Sequence, residues 1–145
     1  MIKGIGHVAF RVRDLEQAKA FYCDGLGLRH AFDLERDGKP WIIFVYVGNR
    51  QYLELFPDPG ATPLDQATKP SYAHLQLTVD DMDATLAELE RRGIRPANPP
   101  RTGADNNVQA WLTDPDGNRI ELMQMMPGSP HEQAEARLEG ERVGA

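Results

Sequence analysis

HVAFRVRDLEQA (His7–Ala18) and HLQLTVDDMDAT (His74–Thr85) carry the same order of features: a histidine, an alternating apolar run, an acidic residue suited to cap a helix, and the start of that helix. A second pair of segments repeats in step, GNRQYLELF ending at Phe56 and GNRIELM ending at Met123, the first copy having two extra residues. The offsets agree, since 74 − 7 and 121 − 54 are both 67, so His7 and Glu54 stand to each other as His74 and Glu121 do. Self-similarity at a fixed period marks a duplicated structural unit, and here the unit carries one histidine and one glutamate.

The pattern predicts a strand from Ile2 to Val12, a helix capped by Asp14 with Gln17 as its partner and running to about Asp24, and a stop at Gly25 and Gly27. Leu28–Glu35 reads as a second strand, Asp37-Gly38 as a hairpin turn, Trp41–Val47 as a third strand and Tyr52–Phe56 as a fourth. Residues 1–56 therefore form a first βαβββ module. Residues 57–70, with four prolines and no apolar periodicity, read as a linker, and 71–126 as a second module. In that module Asp81 caps a helix with Met82, Leu86 and Leu89 on one stripe, ended by Gly93. A short strand is expected from Ile94, a loop over Asn98–Asn107, strands at Val108–Thr113 and Asn118–Met123, and a turn at Asp114-Pro115-Asp116-Gly117 between them. Residues 127–145 read as a polar tail, frayed or forming a short peripheral helix.

Alternate side chains of a strand point to opposite faces. His7 shares a face with Ala9 and Arg11, Glu54 with Tyr52 and Phe56, His74 with Gln76 and Thr78, and Glu121 with Met123. The opposite faces carry Val8, Phe10 and Val12, Leu53 and Leu55, Leu75, Leu77 and Val79, and Ile120 and Leu122, which two amphipathic helices should cover. The His/Glu faces would then line one concave space, with Gln109 and Trp111 of the neighbouring strand as a polar contact and an aromatic wall. Two imidazoles and two carboxylates suit a borderline divalent ion such as Zn, Ni, Mn, Co or Fe. Each of these residues taken singly would pass for an ordinary polar strand residue; the repeated spacing and the agreement of faces favour a metal site. His30 and His131 lack that support and read as surface residues.

The 145 residues, 41% hydrophobic, suffice for a core. A formal net charge of −6 argues against nucleic-acid binding, no apolar run approaches the roughly 20 residues of a membrane span, and the single cysteine, Cys23, cannot form an intramolecular disulfide. With no export segment read at the start, the expectation is a cytoplasmic protein acting on a small molecule.

HVAFRVRDLEQAKAFYCDGLGL, YLELF, HLQLTVDD and DPDGNRIEL together resemble the vicinal oxygen chelate superfamily, which includes glyoxalase I, methylmalonyl-CoA epimerase, extradiol dioxygenases and fosfomycin- and bleomycin-resistance proteins. The resemblance covers Ile2 to about Gln124. It implies an α+β fold of two tandem βαβββ modules forming an open half-barrel round a metal; the open sheets point to a homodimer, the modules pairing within one chain or, as is common in members of this length, between subunits. Carried over by position, His7, Glu54, His74 and Glu121 match the four metal ligands of glyoxalase I, and Arg11 matches an arginine that contacts the glutathione carboxylate. One departure is Asp58, which stands where glutathione-using bacterial enzymes have asparagine and puts an anion beside an anionic cosubstrate.

The resemblance implies a lactoylglutathione lyase-like (glyoxalase I-type) metalloenzyme, in which the ion holds two adjacent substrate oxygens, acidifies the neighbouring C–H and stabilises the enediolate. Glu121 is the first choice for the base that shuttles the proton and Glu54 the second. Two other readings stand beside it: a metal-independent drug- or metabolite-binding (resistance) protein using Trp111, Tyr52 and Met123 as apolar walls, and an Fe(II)-dependent dioxygenase.

Overall fold

The computed structural model describes residues 5–60 and 73–143, with side-chain surroundings given to residue 137. The chain divides into two compact units, one within Met1–Lys69 that also takes in Asp114–Gly117, the other comprising Pro70–Thr113 and Asn118–Ala145. Most of the expected linker lies outside the described residues.

The first unit is built from β1 (His7–Val12), α1 (Leu15–Lys19) continued by a π-helical turn over Ala20–Gly25, β2 (Arg29–Arg36), β3 (Lys39–Gly48) and β4 (Gln51–Pro57). Its four strands lie in the order β1-β4-β3-β2, with β1 parallel to β4 and the other pairs antiparallel. Phe10, Val12, Ile43, Val45, Leu53 and Leu55 are buried with Ala18 and Tyr22 of the helical segment. Each such aliphatic side chain removed from water contributes about 1.5–3 kcal/mol, which makes this face the cohesive one. The β2–β3 turn places Asp37 and Gly38 at φ 55° and 72°, the left-handed pair that matches strand twist in a two-residue hairpin.

The second unit repeats the plan with β5 (Leu75–Val79), α2 (Met82–Arg91), β6 (Arg101–Thr102), β7 (Val108–Thr113) and β8 (Arg119–Gln124), in the order β5-β8-β7-β6. Met82, Leu89, Ala110, Leu112, Ile120 and Leu122 form its core. The repeat extends to atomic detail at the helix ends. Asp14 Oδ1 accepts from Gln17 N at 3.0 Å and Asp81 Oδ1 from Ala84 N at 2.8 Å, each satisfying an N–H that the first helical turn leaves without a partner. At the other end Ile94 N reaches Leu89 O and Gly93 N reaches Glu90 O, while Leu28 N reaches Tyr22 O and Gly27 N reaches Cys23 O, each one residue further back because that helix ends in a π-helical turn. This paired closure requires a left-handed residue after the helix, supplied by Gly27 and Gly93 at φ 74° and 80°.

Two expectations need correction. No strand begins at Ile94; the outer strand of the second sheet is the two-residue β6 inside the segment expected to be a loop, paired as Arg101↔Gln109 and Thr102↔Val108. An edge strand this short is defined by the backbone groups its neighbour offers, not by its own composition, so apolar patterning pointed to the wrong place. After residue 127 the chain forms α3 (Pro130–Val143), a 14-residue helix longer than the short peripheral one envisaged. Its start is anchored, because Ser129 and Asn107 are buried, Asn107 Oδ1 accepts from Met126 N at 2.9 Å, and Asn107 Nδ2 stands 3.0 Å from His131 Nδ1.

Candidate metal and proton-transfer site

The parity expected for β1 holds. Phe10 and Val12 are buried while His7, Ala9 and Arg11 are exposed, and Ala9 is the residue directly opposite Glu54 in the parallel pair. His7, two residues earlier on the same face, is therefore the diagonal neighbour of Glu54, and its Nε2 lies 3.1 Å from Glu54 Oε2. The second unit reproduces the construction: Gln76 is opposite Glu121, His74 is two residues before Gln76, and His74 Nε2 lies 3.0 Å from Glu121 Oε2.

Both carboxylates are largely withdrawn from water, with Glu54 9% and Glu121 5% exposed, whereas both histidines remain accessible. Burial of a carboxylate is costly unless its oxygens are bonded or ligated. Glu121 meets that requirement at one oxygen only: Oε2 has His74, while Oε1 is buried without a partner. A buried acceptor with a full lone pair and no donor is open to a cation or to a proton, and the imidazole and carboxylate of each pair fit half of a mixed nitrogen/oxygen metal site. Among the described residues, no group of three or more His, Cys, Asp or Glu side chains converges on a common point; the four residues stand as two pairs.

The expected substrate-binding residues fare differently. Trp111 is opposite Glu121 across β7–β8, its ring meeting His74 edge to face at 4.9 Å and lying under the Arg119 guanidinium at 4.3 Å. Gln109 donates from Nε2 to Asp105 Oδ1 at 3.2 Å, within the loop beside it. Arg11 donates from Nη1 to Asp58 Oδ2 at 3.1 Å. Asp105 also accepts from Asn107 Nδ2 at 2.9 Å, which with its backbone contacts and His131 holds its carboxyl below the usual range. Of the two histidines read as surface residues, His30 pairs with Asp33 at 2.7 Å on β2, and His131 joins the Asn107 cluster.

Sequence reasoning missed two features. Asp114 and Asp116, read as turn residues, are buried: Asp114 Oδ2 accepts from Tyr22 OH at 2.8 Å, and Asp116 Oδ1 accepts from Arg13 N at 3.0 Å and Arg13 Nε at 2.8 Å. Spacing offers no signal for partners about a hundred residues apart. The other is a ring cluster beside His7. Phe32 stacks on Phe44 at 4.5 Å, Phe44 meets both His7 and Tyr52 edge to face, and Phe32 remains 46% exposed. Phe44, Glu54 and Ala9 lie in one row across the sheet, a cross-strand register that residue order alone does not give.

The chain matches the Glyoxalase/Bleomycin resistance protein/Dioxygenase superfamily over residues 4–122 and belongs to it. A probable lactoylglutathione lyase of Vibrio parahaemolyticus is 31% identical over 141 residues, covering 92% of this chain and 95% of that protein. Among solved structures, a glyoxalase family protein from Enterococcus faecalis superposes with a TM-score of 0.72 at 26% identity, covering 83% of this chain and 97% of that one. An antibiotic binding protein from a Streptomyces species superposes at 0.67 with 29% identity, covering 86% and 98%. The chain is thus similar both to a protein named as a probable enzyme and to one named as a binder. Among the described residues, no helix is long and apolar enough to cross a membrane.

Proposed function

We propose that the protein is a cytoplasmic, metal-dependent glyoxalase I-like lyase or isomerase that moves a proton between adjacent carbons of a small substrate with neighbouring oxygens. What carries the reading is the twice-built pair His7–Glu54 and His74–Glu121, identical in register and each with a buried carboxylate. His7, Glu54, His74 and Glu121 would hold one divalent ion, with the two pairs drawn from one chain or from two chains of a homodimer. When bound, the ion supplies Lewis acidity to the two substrate oxygens.

The chain's own groups then divide the work. Glu121 is the base: His74 steadies Oε2, and Oε1, shielded from solvent and unpartnered, takes the proton from carbon and returns it to the neighbouring carbon. The electron pair left by the broken C–H bond becomes a carbon–carbon π bond as the neighbouring carbonyl pair moves onto its oxygen; that π pair then takes the proton at the neighbouring carbon while the hydroxyl proton of the first carbon passes to the second oxygen, so no oxidant or reductant is consumed. Glu54 is the alternative base. The relative named lactoylglutathione lyase supports this class of reaction; the Arg11–Asp58 pair speaks against a carboxylate-rich thiol such as glutathione as the carrier.

The test is metal analysis of protein purified without added ions, followed by assay with hemithioacetals of several thiols. A divalent ion bound in stoichiometric amount, a melting temperature lowered by chelator and hemithioacetal turnover are expected. The ring cluster of Phe32, Phe44 and Tyr52 favours a second reading, a metal-independent binder of an apolar metabolite or drug. Metal-free protein whose melting temperature ignores chelator would select that reading.

A further inference from the structure

Across β7–β8, the directly opposed residues Trp111 and Glu121 each bury a polar atom with no partner: the indole Nε1, a donor, and the carboxylate Oε1, an acceptor. Opposed side chains on one face of an antiparallel pair have Cβ atoms roughly 4.5–5.5 Å apart, a separation that an indole and a carboxylate can span. An unsatisfied buried donor and an unsatisfied buried acceptor each cost free energy, and their presence on facing residues calls for an account. Trp111 cannot readily turn away, since its ring is held between the edge of His74 and the Arg119 guanidinium. Glu121 is tethered on one side only, through Oε2 to His74.

We propose that Trp111 is a positioning residue whose indole N–H donates to Glu121 Oε1 whenever the carboxylate loosens from His74. The carboxylate would then have two defined positions, one bonded to His74 and one to Trp111, rather than a free swing. A base that must collect a proton at one carbon and deliver it to the next gains from such a pair of stops, because each fixes the oxygen that carries the proton. This role rests on the proposed proton transfer at Glu121. The Trp111–Glu121 bond itself does not require turnover to be observed.

The test uses the indole N–H resonance of Trp111 in the full-length, metal-free protein, assigned by comparison with Trp41→Phe. In His74→Ala the carboxylate loses its partner and should pass to the indole; in His74→Ala/Glu121→Ala there is no carboxylate to receive. The imidazole ring current is absent from both variants, so a downfield position and slower hydrogen exchange in the single variant relative to the double one report the carboxylate alone. Coincident resonances and equal exchange in the two variants would overturn the proposal. A separate titration of the unmodified protein with Zn²⁺ reads the metal site: failure to bind the ion would sink the proposed function without altering the comparison of the metal-free variants. In turnover, Trp111→Phe keeps the ring and loses the donor, and should lower kcat about tenfold with KM and metal affinity held within about twofold. A change confined to KM would assign Trp111 to substrate binding instead.

Discussion

Arg11 and Asp58 satisfy each other: the guanidinium on the His7 side of β1 donates to a carboxylate just past the end of β4, at 3.1 Å. An arginine already paired is a weak receptor for a second carboxylate. Asp58→Asn should free it and lower KM for an anionic thiol substrate, with glutathione hemithioacetal as the assay, by about two- to fivefold at low ionic strength. The gain should fade as salt is added, and folding stability should stay within about 0.5 kcal/mol, as expected for a pair this exposed. Unchanged KM across the salt series would remove Arg11 from substrate recognition.

Tyr22 and Asp114 make the opposite kind of pair, buried and neutral-to-charged, with the hydroxyl donating at 2.8 Å. Tyr22→Phe keeps the packing against Phe10 and Phe21 and withdraws one donor from a buried carboxylate. Urea unfolding should show a loss of about 1.5–3 kcal/mol. A loss below about 0.5 kcal/mol would mean that the other contacts of Asp114 already satisfy it.

Glu121→Gln retains the shape of the side chain and one oxygen able to ligate, but cannot carry a proton. Metal content should remain near that of the unaltered protein while kcat falls by roughly 10²–10⁴, the usual contribution of a positioned acid or base. Full activity in this variant would shift the role of base to Glu54, for which Glu54→Gln is the matching experiment.

Cys23, in the π-helical turn, has its thiol pushed above the ordinary value, first by burial and then by the neighbouring Asp24. The thiolate is the reactive form, so a raised pKa means less of it at neutral pH and a rate that climbs only as pH passes above the ordinary thiol range. Alkylation with iodoacetamide at neutral pH should run slower than for a small free thiol, because less of the thiol is ionised. A rate equal to or above the free thiol would contradict this and mark the residue as activated.

The faces, the helix caps and the helix stops could all be read from residue order, because each depends on contacts within a few positions. Alternation along β1 put His7 and Arg11 on one side and Phe10 and Val12 on the other. The cap and stop bonds of Asp14, Gly27, Asp81 and Gly93 go to groups of their own helices or the turn beside them. The common spacing of 67 residues then made two of everything, including the two His–Glu pairs, whose diagonal register follows once β1 lies parallel to β4 and β5 to β8.

Which donor meets which acceptor at long range was decided only by the tertiary structure. Nothing local binds Tyr22 to Asp114 or Arg13 to Asp116, or leaves Trp111 Nε1 and Glu121 Oε1 both without a partner. The misplaced outer strand of the second sheet belongs with these, since a two-residue edge is set by the backbone it pairs with. Apolar periodicity is repeated along a whole element and so survives in the sequence as a pattern. A single polar contact is made once, between side chains that packing alone brings together.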